Sequence, residues 1–432
     1  MIWNPSAECM AQEQLRELQD KRLARIVDYA YHNTPFYRAK LQKMGILPGD
    51  IKGMDDLRKL PFTDKTDLRD NYPFGLAAVP MSQIVRIHAS SGTTGKPVVA
   101  LYTRRDIATW SEALARAFTA YGCNRSDVFQ ISYGYGLFSG GLGAHEGATN
   151  IGASVIPMSS GNTQKQITLM HDFGSTVLCC TPSYALFLSE AMRDSEYSKD
   201  GFRLRVGVFG AEPWTEDMRR KLEAGLGIKA YDIYGLSEIA GPGVGYECQC
   251  QDGAHINEDF YYPEIVDPNT GEPLPDGHIG ELCFTHLNKE GMPLLRYRTH
   301  DLTTLRRGTC QCGRTFVKMD RILGRTDDML IIRGVNVFPT QIEAVILSIK
   351  ELEPHYMLTV DRLSNTDTAE LKVEVRQGCF TDDMAQMVGL QKRLENELRS
   401  VIGIGFRVRL AEPGSIERST GKAKRVEDRR RL

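Results

Sequence analysis

No stretch of this 432-residue chain approaches the run of about eighteen apolar residues that a membrane-spanning helix needs. The first residues, Met1-Ile2-Trp3-Asn4-Pro5 and then Glu8, lack the basic segment and apolar run of an export signal. Charge of neither sign predominates: 53 Lys and Arg stand against 55 Asp and Glu, a formal net charge of −2. That balance argues against nucleic acid or a membrane surface as partner. The basic end, with Lys422, Lys424, Arg425 and Arg429 to Arg431, has the composition of a polyanion-binding tail, but Arg429 to Arg431 read better as a solvated terminus. There is no internal repeat and no low-complexity tract. Ten cysteines are too few for a disulfide scaffold in a chain this long, and without an export signal reduced thiols and a cytoplasmic location are expected.

What is present is length and rhythm. A chain of this size has room for two or three domains with a substantial core. Leu15, Leu18, Leu23, Ile26, Val27 and Ala30 fall near helical spacing and predict an amphipathic helix over 12–31. From about 84 to 238, strand-like runs (129–133, 154–156, 176–179, 206–209, 229–234) alternate with helical stretches near 104–120, 163–172, 183–194 and 215–226. The alternation predicts a layered α/β architecture with a largely parallel sheet. Residues 256–320 turn β-rich. Gly324-Arg325-Thr326-Asp327-Asp328 reads as a hinge, and the remainder, with strands near 354–361, 370–376 and 406–410 and helices near 340–350 and 384–400, as a small α+β domain. The expected division is an N-terminal domain over 1–326 and a C-terminal domain over 327–432.

Chemistry first shows in Ser90-Ser91-Gly92-Thr93-Thr94-Gly95-Lys96-Pro97. Its glycines are three apart, not the five of a Walker A loop, and Pro97 disfavours a helix start at Lys96. Alternating residues on both sides place it between two strands. Glycines let backbone amides approach a phosphate, and the hydroxyls donate to its oxygens.

Four separated signatures resemble one family, the acyl-adenylate-forming enzymes, and within it the phenylacetate–CoA ligase branch. The loop at 90–97 is the first. Tyr234-Gly235-Leu236-Ser237-Glu238, with Gly210-Ala211-Glu212-Pro213 upstream, is the second. Tyr297-Arg298-Thr299-His300-Asp301, followed by the hinge segment, is the third, and Arg418-Ser419-Thr420-Gly421-Lys422 the fourth. Each is weak alone; their order and spacing are specific, and the resemblance runs nearly end to end, including Ile332 to Pro339.

The resemblance implies a large N-terminal α/β domain with a β-rich subdomain, a small mobile C-terminal α+β domain, and the use of ATP, Mg²⁺ and coenzyme A on an aromatic carboxylic acid. It implies that Ser90, Ser91, Gly92, Thr93, Thr94, Gly95 and Lys96 hold phosphate, and that Glu238 binds Mg²⁺ with Thr94 as helper. A lone carboxylate suits an ion that prefers hard oxygens shared with substrate phosphates. Gly210, Ala211, Glu212 and Pro213 are implied to shape an adenine slot, with Asp232 receiving the exocyclic amine and Tyr234 stacking on the ring. Ile233, Gly235 and Ser237 belong to the same strand end. Asp301 is implied to take the ribose hydroxyls, with Arg325 reaching the ribose from the hinge. Lys422 is the implied adenylation lysine, a point charge suited to the charge that develops at the α-phosphate. Asp327 is the implied pivot.

Tyr133-Gly134-Tyr135-Gly136-Leu137-Phe138-Ser139-Gly140-Gly141 is the candidate acyl pocket: rings supply flat apolar walls and glycines leave room for a planar ligand. Tyr135 is the residue the resemblance points to, with Tyr133, Gly136 and Phe138 beside it. Cys248 and His255 in one loop (246–256), with Cys310 and Cys312 in another (308–314), form the type of set that structural zinc takes, with Cys250 as rival for the first position. Cys-x-Cys is less specific than Cys-x-x-Cys, and only some members of the branch carry such a cluster.

The expected activity is AMP-forming ligation of an arylacetic acid, phenylacetate or a close relative, to CoA. Alternatives are an adenylating enzyme with another acceptor, such as a carrier-protein thiol or a cofactor, and a non-catalytic acyl-adenylate-binding regulator. Regulators of this fold usually lose the magnesium acid or the terminal lysine, and this chain has Glu238 and Lys422. A homodimer accords with the resemblance.

Overall fold

The computed structural model describes residues 1–90, 97–197, 199–327, 330–333, 335–363, 366–381, 383–418 and 423–430. Ser91, Gly92, Thr93, Thr94, Gly95 and Lys96 of the loop, Asp328 of the hinge segment, and Ser419, Thr420, Gly421 and Lys422 lie outside the described residues. The chain forms two compact units. One comprises Met1–Cys180, Ser195–Ala211 and Ile228–Ile322; the other comprises Thr181–Asp194, Glu212–Gly227 and Leu323–Leu432.

In the first unit a hairpin of β1 (Arg86–Ala89) and β2 (Val99–Tyr102) brackets the predicted loop. The main sheet has nine strands. Its parallel half is built from β3 (Val128–Ile131), β4 (Ser154–Ile156), β5 (Val177–Cys180), β6 (Val206–Gly210) and β7 (Lys229–Leu236). From β7 the same sheet continues antiparallel through β8 (Gly241–Tyr246) and β9 (Ala254–Ile256) to two short strands, Leu305–Arg306 and Lys318–Met319. The strands expected over 84–238 are all parallel, as the alternation suggested, and the antiparallel part is built from residues beyond them. The turn into β8 is tight: Gly235 and Gly241 lie so close that a Cβ on Gly235 would overlap the Gly241 carbonyl. A second, antiparallel sheet carries β10 (Tyr261–Val266), β11 (Gly280–His286) and β12 (Tyr297–Thr303).

The Arg104–Ala120 helix starts where expected because Thr103 and Asp106 cap it reciprocally, each side chain accepting from the other's backbone N–H. It buries Trp110, Leu114 and Phe118. The Ser139–Asn150 helix was not anticipated. Its glycines carry a helix penalty of roughly 1 kcal/mol each relative to alanine. Packing overrides it: Gly143 lies against Trp110 and Gly147 against Leu114 and Phe118, where a Cβ would overlap the neighbour.

The second unit contains a four-stranded sheet in the spatial order Arg407–Ala411, Thr366–Val375, Leu352–Leu363, Val426–Asp428. The Pro339–Ser348 and Met384–Ile402 helices supply Ile342, Ile346, Leu394 and Leu398 to a core with Leu358, Leu371 and Val373. Val426–Asp428 was not expected. It is a three-residue strand that pairs parallel with Leu352–Leu363, too short to show in a polar stretch. Among the described residues no helix is long and apolar enough to cross a membrane.

Candidate active site and metal centre

Open α/β sheets bind ligands at the carboxyl ends of their strands, and there β6 and β7 bring the predicted nucleotide residues together. Gly210 is in register with Ile233. A Cβ on Gly210 would overlap the Ile233 carbonyl, and Ala211 has φ of 71°, so the chain leaves β6 through a left-handed turn. Asp232 is held by its backbone: its N–H donates to Glu247 Oε2 at 2.8 Å and its carbonyl accepts from Tyr121 Oη at 2.9 Å.

Tyr234 donates its hydroxyl to Asp301 Oδ2 at 2.6 Å, and its ring stacks on Phe284 with centroids 6.2 Å apart. The hydrogen bond joins the β7 end to β12 of the second sheet, a link between two predicted ligand residues that spacing cannot reveal. Ser237 Oγ lies 2.9 Å from Ser139 Oγ at the start of the Ser139–Asn150 helix. Tyr102 donates to the Ser237 carbonyl at 3.2 Å.

Glu238 follows immediately. It is 7% exposed, and its carboxylate accepts no hydrogen bond among the described residues. A buried carboxylate without a protein donor is costly unless something positive meets it. This donor chemistry fits Mg²⁺, a hard cation that takes one or two carboxylates and keeps its other positions for water and phosphate.

The loop's described edge is anchored. Ser90 N–H donates to the Val98 carbonyl at 2.9 Å, and Val98 N–H to Ser90 Oγ at 3.2 Å. Ala89 N–H donates to the Leu137 carbonyl at 3.0 Å, which ties the loop base to the aromatic segment. In that segment Tyr133 is buried, with its hydroxyl 3.3 Å from the Val208 carbonyl. Gly136 faces open space, since nothing lies within 4 Å of where a Cβ would sit. Phe138 is 41% exposed. Tyr135 is half-buried, packs on Gly141, and has its hydroxyl 3.2 Å from His145 Nδ1. Burial raises the Tyr135 pKa, so the phenol stays neutral. His145 was missed because nothing in the sequence marks a lone histidine on an unpredicted helix.

In the second unit Arg325 and Asp327 form a bidentate ion pair at 2.8 and 2.9 Å. Glu212 accepts from two backbone amides, Ser183 N–H at 2.6 Å and Ala423 N–H at 3.1 Å. Pro213 follows it, half-buried.

The ligand atoms of Cys248, His255, Cys310 and Cys312 all lie within 4.8 Å of one another. Zinc–sulfur bonds of about 2.3 Å and zinc–nitrogen bonds of about 2.0–2.1 Å give tetrahedral edges of about 3.8 Å (S–S) and about 3.5 Å (S–N). Cys248 and Cys310 sulfurs are 3.8 Å apart, and Cys312 Sγ is 3.5 Å from His255 Nε2. His255 Nδ1 faces the Phe316 carbonyl at 3.4 Å, which leaves Nε2 for a metal. Cys250 is exposed and outside the group; its N–H points at Cys248 Sγ, 3.4 Å away. The hydrogen bond between Cys248 and Cys312 lowers the pKa of the Cys312 thiol and raises that of Cys248, while burial raises that of Cys310. Arg314, two residues on, is buried and pairs with buried Glu8 at 2.6 Å. Sequence reasoning passed over this pair.

The AMP-binding enzyme family matches residues 32–288, and the AMP-binding enzyme C-terminal domain matches residues 334–430. The chain is 49% identical over 445 aligned positions to phenylacetate-coenzyme A ligase of Thermus thermophilus, covering 100% of both. It is 51% identical over 427 positions to phenylacetate-coenzyme A ligase of Escherichia coli, covering 98% of this chain and 97% of that one. Among solved structures it is similar to 2-hydroxyisobutyryl-CoA ligase in the postadenylation state, with a TM-score of 0.92 and 28% identity, over 98% of this chain and 91% of that one.

Proposed function

Because the chain belongs to the phenylacetate–CoA ligase branch of the acyl-adenylate-forming enzymes, we propose that it is an AMP-forming acid–CoA ligase acting on phenylacetate or a close arylacetate. The observation that carries this reading is one strand end. There a glycine-tight turn, a Tyr234–Asp301 pair and the unpartnered Glu238 carboxylate come together in a chain about half identical to such ligases over its whole length.

In the first half-reaction a carboxylate oxygen of the acid bonds to the α-phosphorus of ATP, and the bond from that phosphorus to the pyrophosphate oxygen breaks. Acyl-adenylate and pyrophosphate result. Lys422 and the amides and hydroxyls of the 90–97 loop meet the charge that builds on the phosphates. Glu238, with Thr94 as helper, would hold Mg²⁺, which would neutralise phosphate charge. Asp301 accepts from the ribose, assisted by Arg325, and the Gly210–Pro213 turn with Asp232 and Tyr234 receives the adenine. In the second half-reaction the CoA sulfur bonds to the acyl carbon and the bond to AMP breaks. Tyr135, with Tyr133, Gly136 and Phe138, walls the aryl group. Asp327 is the pivot about which the C-terminal domain, residues 327–432, turns between half-reactions. Cytoplasmic location and a homodimer belong to the same reading.

Incubation with ATP, Mg²⁺, phenylacetate and CoA is expected to give AMP, pyrophosphate and phenylacetyl-CoA in equal amounts. ADP and phosphate in their place would refute the adenylate route.

Zinc in the Cys248, His255, Cys310 and Cys312 cluster belongs to the proposal as a structural ion joining the loops around 248–255 and 310–312. Purified protein is expected to contain one zinc per chain. Cys312→Ser is expected to lose it and to melt roughly 5 °C or more lower, since loss of a metal is among the few large single-residue effects. Metal-free protein whose melting Cys312→Ser leaves unchanged would contradict this.

A further inference from the structure

We infer that Glu212 is a positioning residue for the adenylation half-reaction, holding the backbone next to Lys422, and is not merely part of an adenine slot. The inference rests on the proposed role of Lys422. Both carboxylate oxygens of Glu212 are engaged by amides. Oε1 accepts from Ser183 N–H at 2.6 Å and Oε2 from Ala423 N–H at 3.1 Å. Ala423 is the covalent successor of Lys422, and successive Cα atoms are about 3.8 Å apart. What holds the 423 amide therefore acts one peptide bond from the lysine.

The Ser183 contact explains why a carboxylate stands there. Ser183 is the second residue of the Pro182–Arg193 helix, whose first N–H groups have no intrahelical acceptor. An anion is favoured at that end, and a carboxylate alone can accept there with one oxygen while holding Ala423 with the other. Glutamine would keep one acceptor and set an NH₂ against the second N–H.

The chain on either side of 419–422 is fixed by other groups. Arg418 donates twice to Glu374, at 2.8 and 2.8 Å, and Glu374 also accepts from Gly414 and Ile416 N–H at 3.1 and 2.7 Å. Arg425 pairs with Glu343, donates to Ser183 Oγ at 2.9 Å, and stands over the Tyr356 ring. Val426 is in the sheet, in register with Leu358. The Arg418–Glu374 and Arg425–Glu343 pairs, the Tyr356 contact and the strand register lie within residues 327–432, while the Arg425 bond to Ser183 Oγ reaches the helix start that Glu212 also holds. Among the described residues Glu212 is the side chain that grips the backbone directly beside Lys422, through one hydrogen bond. Charge-assisted contacts of this kind restrain strongly yet release at modest cost.

The test uses the full-length protein with Glu212→Gln and Glu212→Ala, the isosteric glutamine carrying it should alanine fail to fold. Two rates are read: phenylacetate-dependent ATP–pyrophosphate exchange, and conversion of supplied phenylacetyl-adenylate and CoA to thioester. A displacement of about 1 Å at a reacting group costs up to about 100-fold, so the exchange kcat is expected to fall about 10-fold or more. The fall in exchange kcat is expected to exceed any rise in the KM for ATP, and the loss in exchange to exceed the loss in thioester formation by about 5-fold or more. A rise in KM alone would make Glu212 an adenine contact. Equal losses in both half-reactions would make it a framework residue, and no loss would make it neither; each overturns the inference. Lys422→Ala is run beside them. If it leaves exchange intact, the role of Lys422 fails and the inference with it. If it abolishes exchange while Glu212→Gln and Glu212→Ala do not slow it, the inference alone fails.

Discussion

Lys422→Ala is expected to slow acid-dependent ATP–pyrophosphate exchange by about 10²–10³-fold, the usual effect of removing one preorganised group that meets charge in the transition state. The KM for the acid should change little, because an interaction made only as charge builds on the phosphates contributes to kcat and not to ground-state binding. Conversion of supplied acyl-adenylate and CoA should stay within a few-fold of the parent rate. Lys422→Arg should recover little: a guanidinium is a wide planar fork, whereas an ammonium on a flexible stem is a compact point charge. Equal loss in both half-reactions would remove Lys422 from the specific role assigned to it.

Glu238→Gln is expected to reduce adenylation by about 100-fold, on the scale of losing a group that stabilises transition-state charge, and to leave the protein as stable or more so. The two effects have one origin. Glu238 is 7% exposed and accepts no hydrogen bond among the described residues, so no described contact of the fold depends on its charge. An amide of the same shape would leave the packing in place while removing the carboxylate proposed to hold Mg²⁺. Melting temperature and Mg²⁺ dependence of exchange, measured on the same preparation, check the pair. A variant that melts several degrees lower while keeping its activity would mean that the carboxylate is structural.

Much of this was legible because it is local. Apolar spacing located the Arg104–Ala120, Thr163–Asp172 and Glu216–Leu226 helices, and Gly210 and Gly235 stand where the backbone passes too close for a side chain. The Cys/His cluster was readable as donor types in two loops; that Cys248 and not exposed Cys250 meets the other three is visible only in the fold. What escaped was non-local. The Ser139–Asn150 helix exists because its glycines let it lie against Trp110, Leu114 and Phe118, the opposite of what glycine content suggests alone. The Tyr234–Asp301 bond spans 67 positions and the Glu212–Ala423 bond 211, so neither leaves a mark on its own neighbourhood. His145 beside Tyr135 is equally silent in the sequence.

The central claim is tested most directly by AMP release from ATP across a panel of aromatic and aliphatic acids, with and without CoA. The account predicts AMP formation that requires both the acid and CoA and peaks on phenylacetate or another arylacetate. Acid-dependent pyrophosphate exchange without CoA turnover would contradict the ligase assignment and point to a different acyl acceptor. No activity with any acid would contradict catalysis itself and leave a binding protein on the same fold.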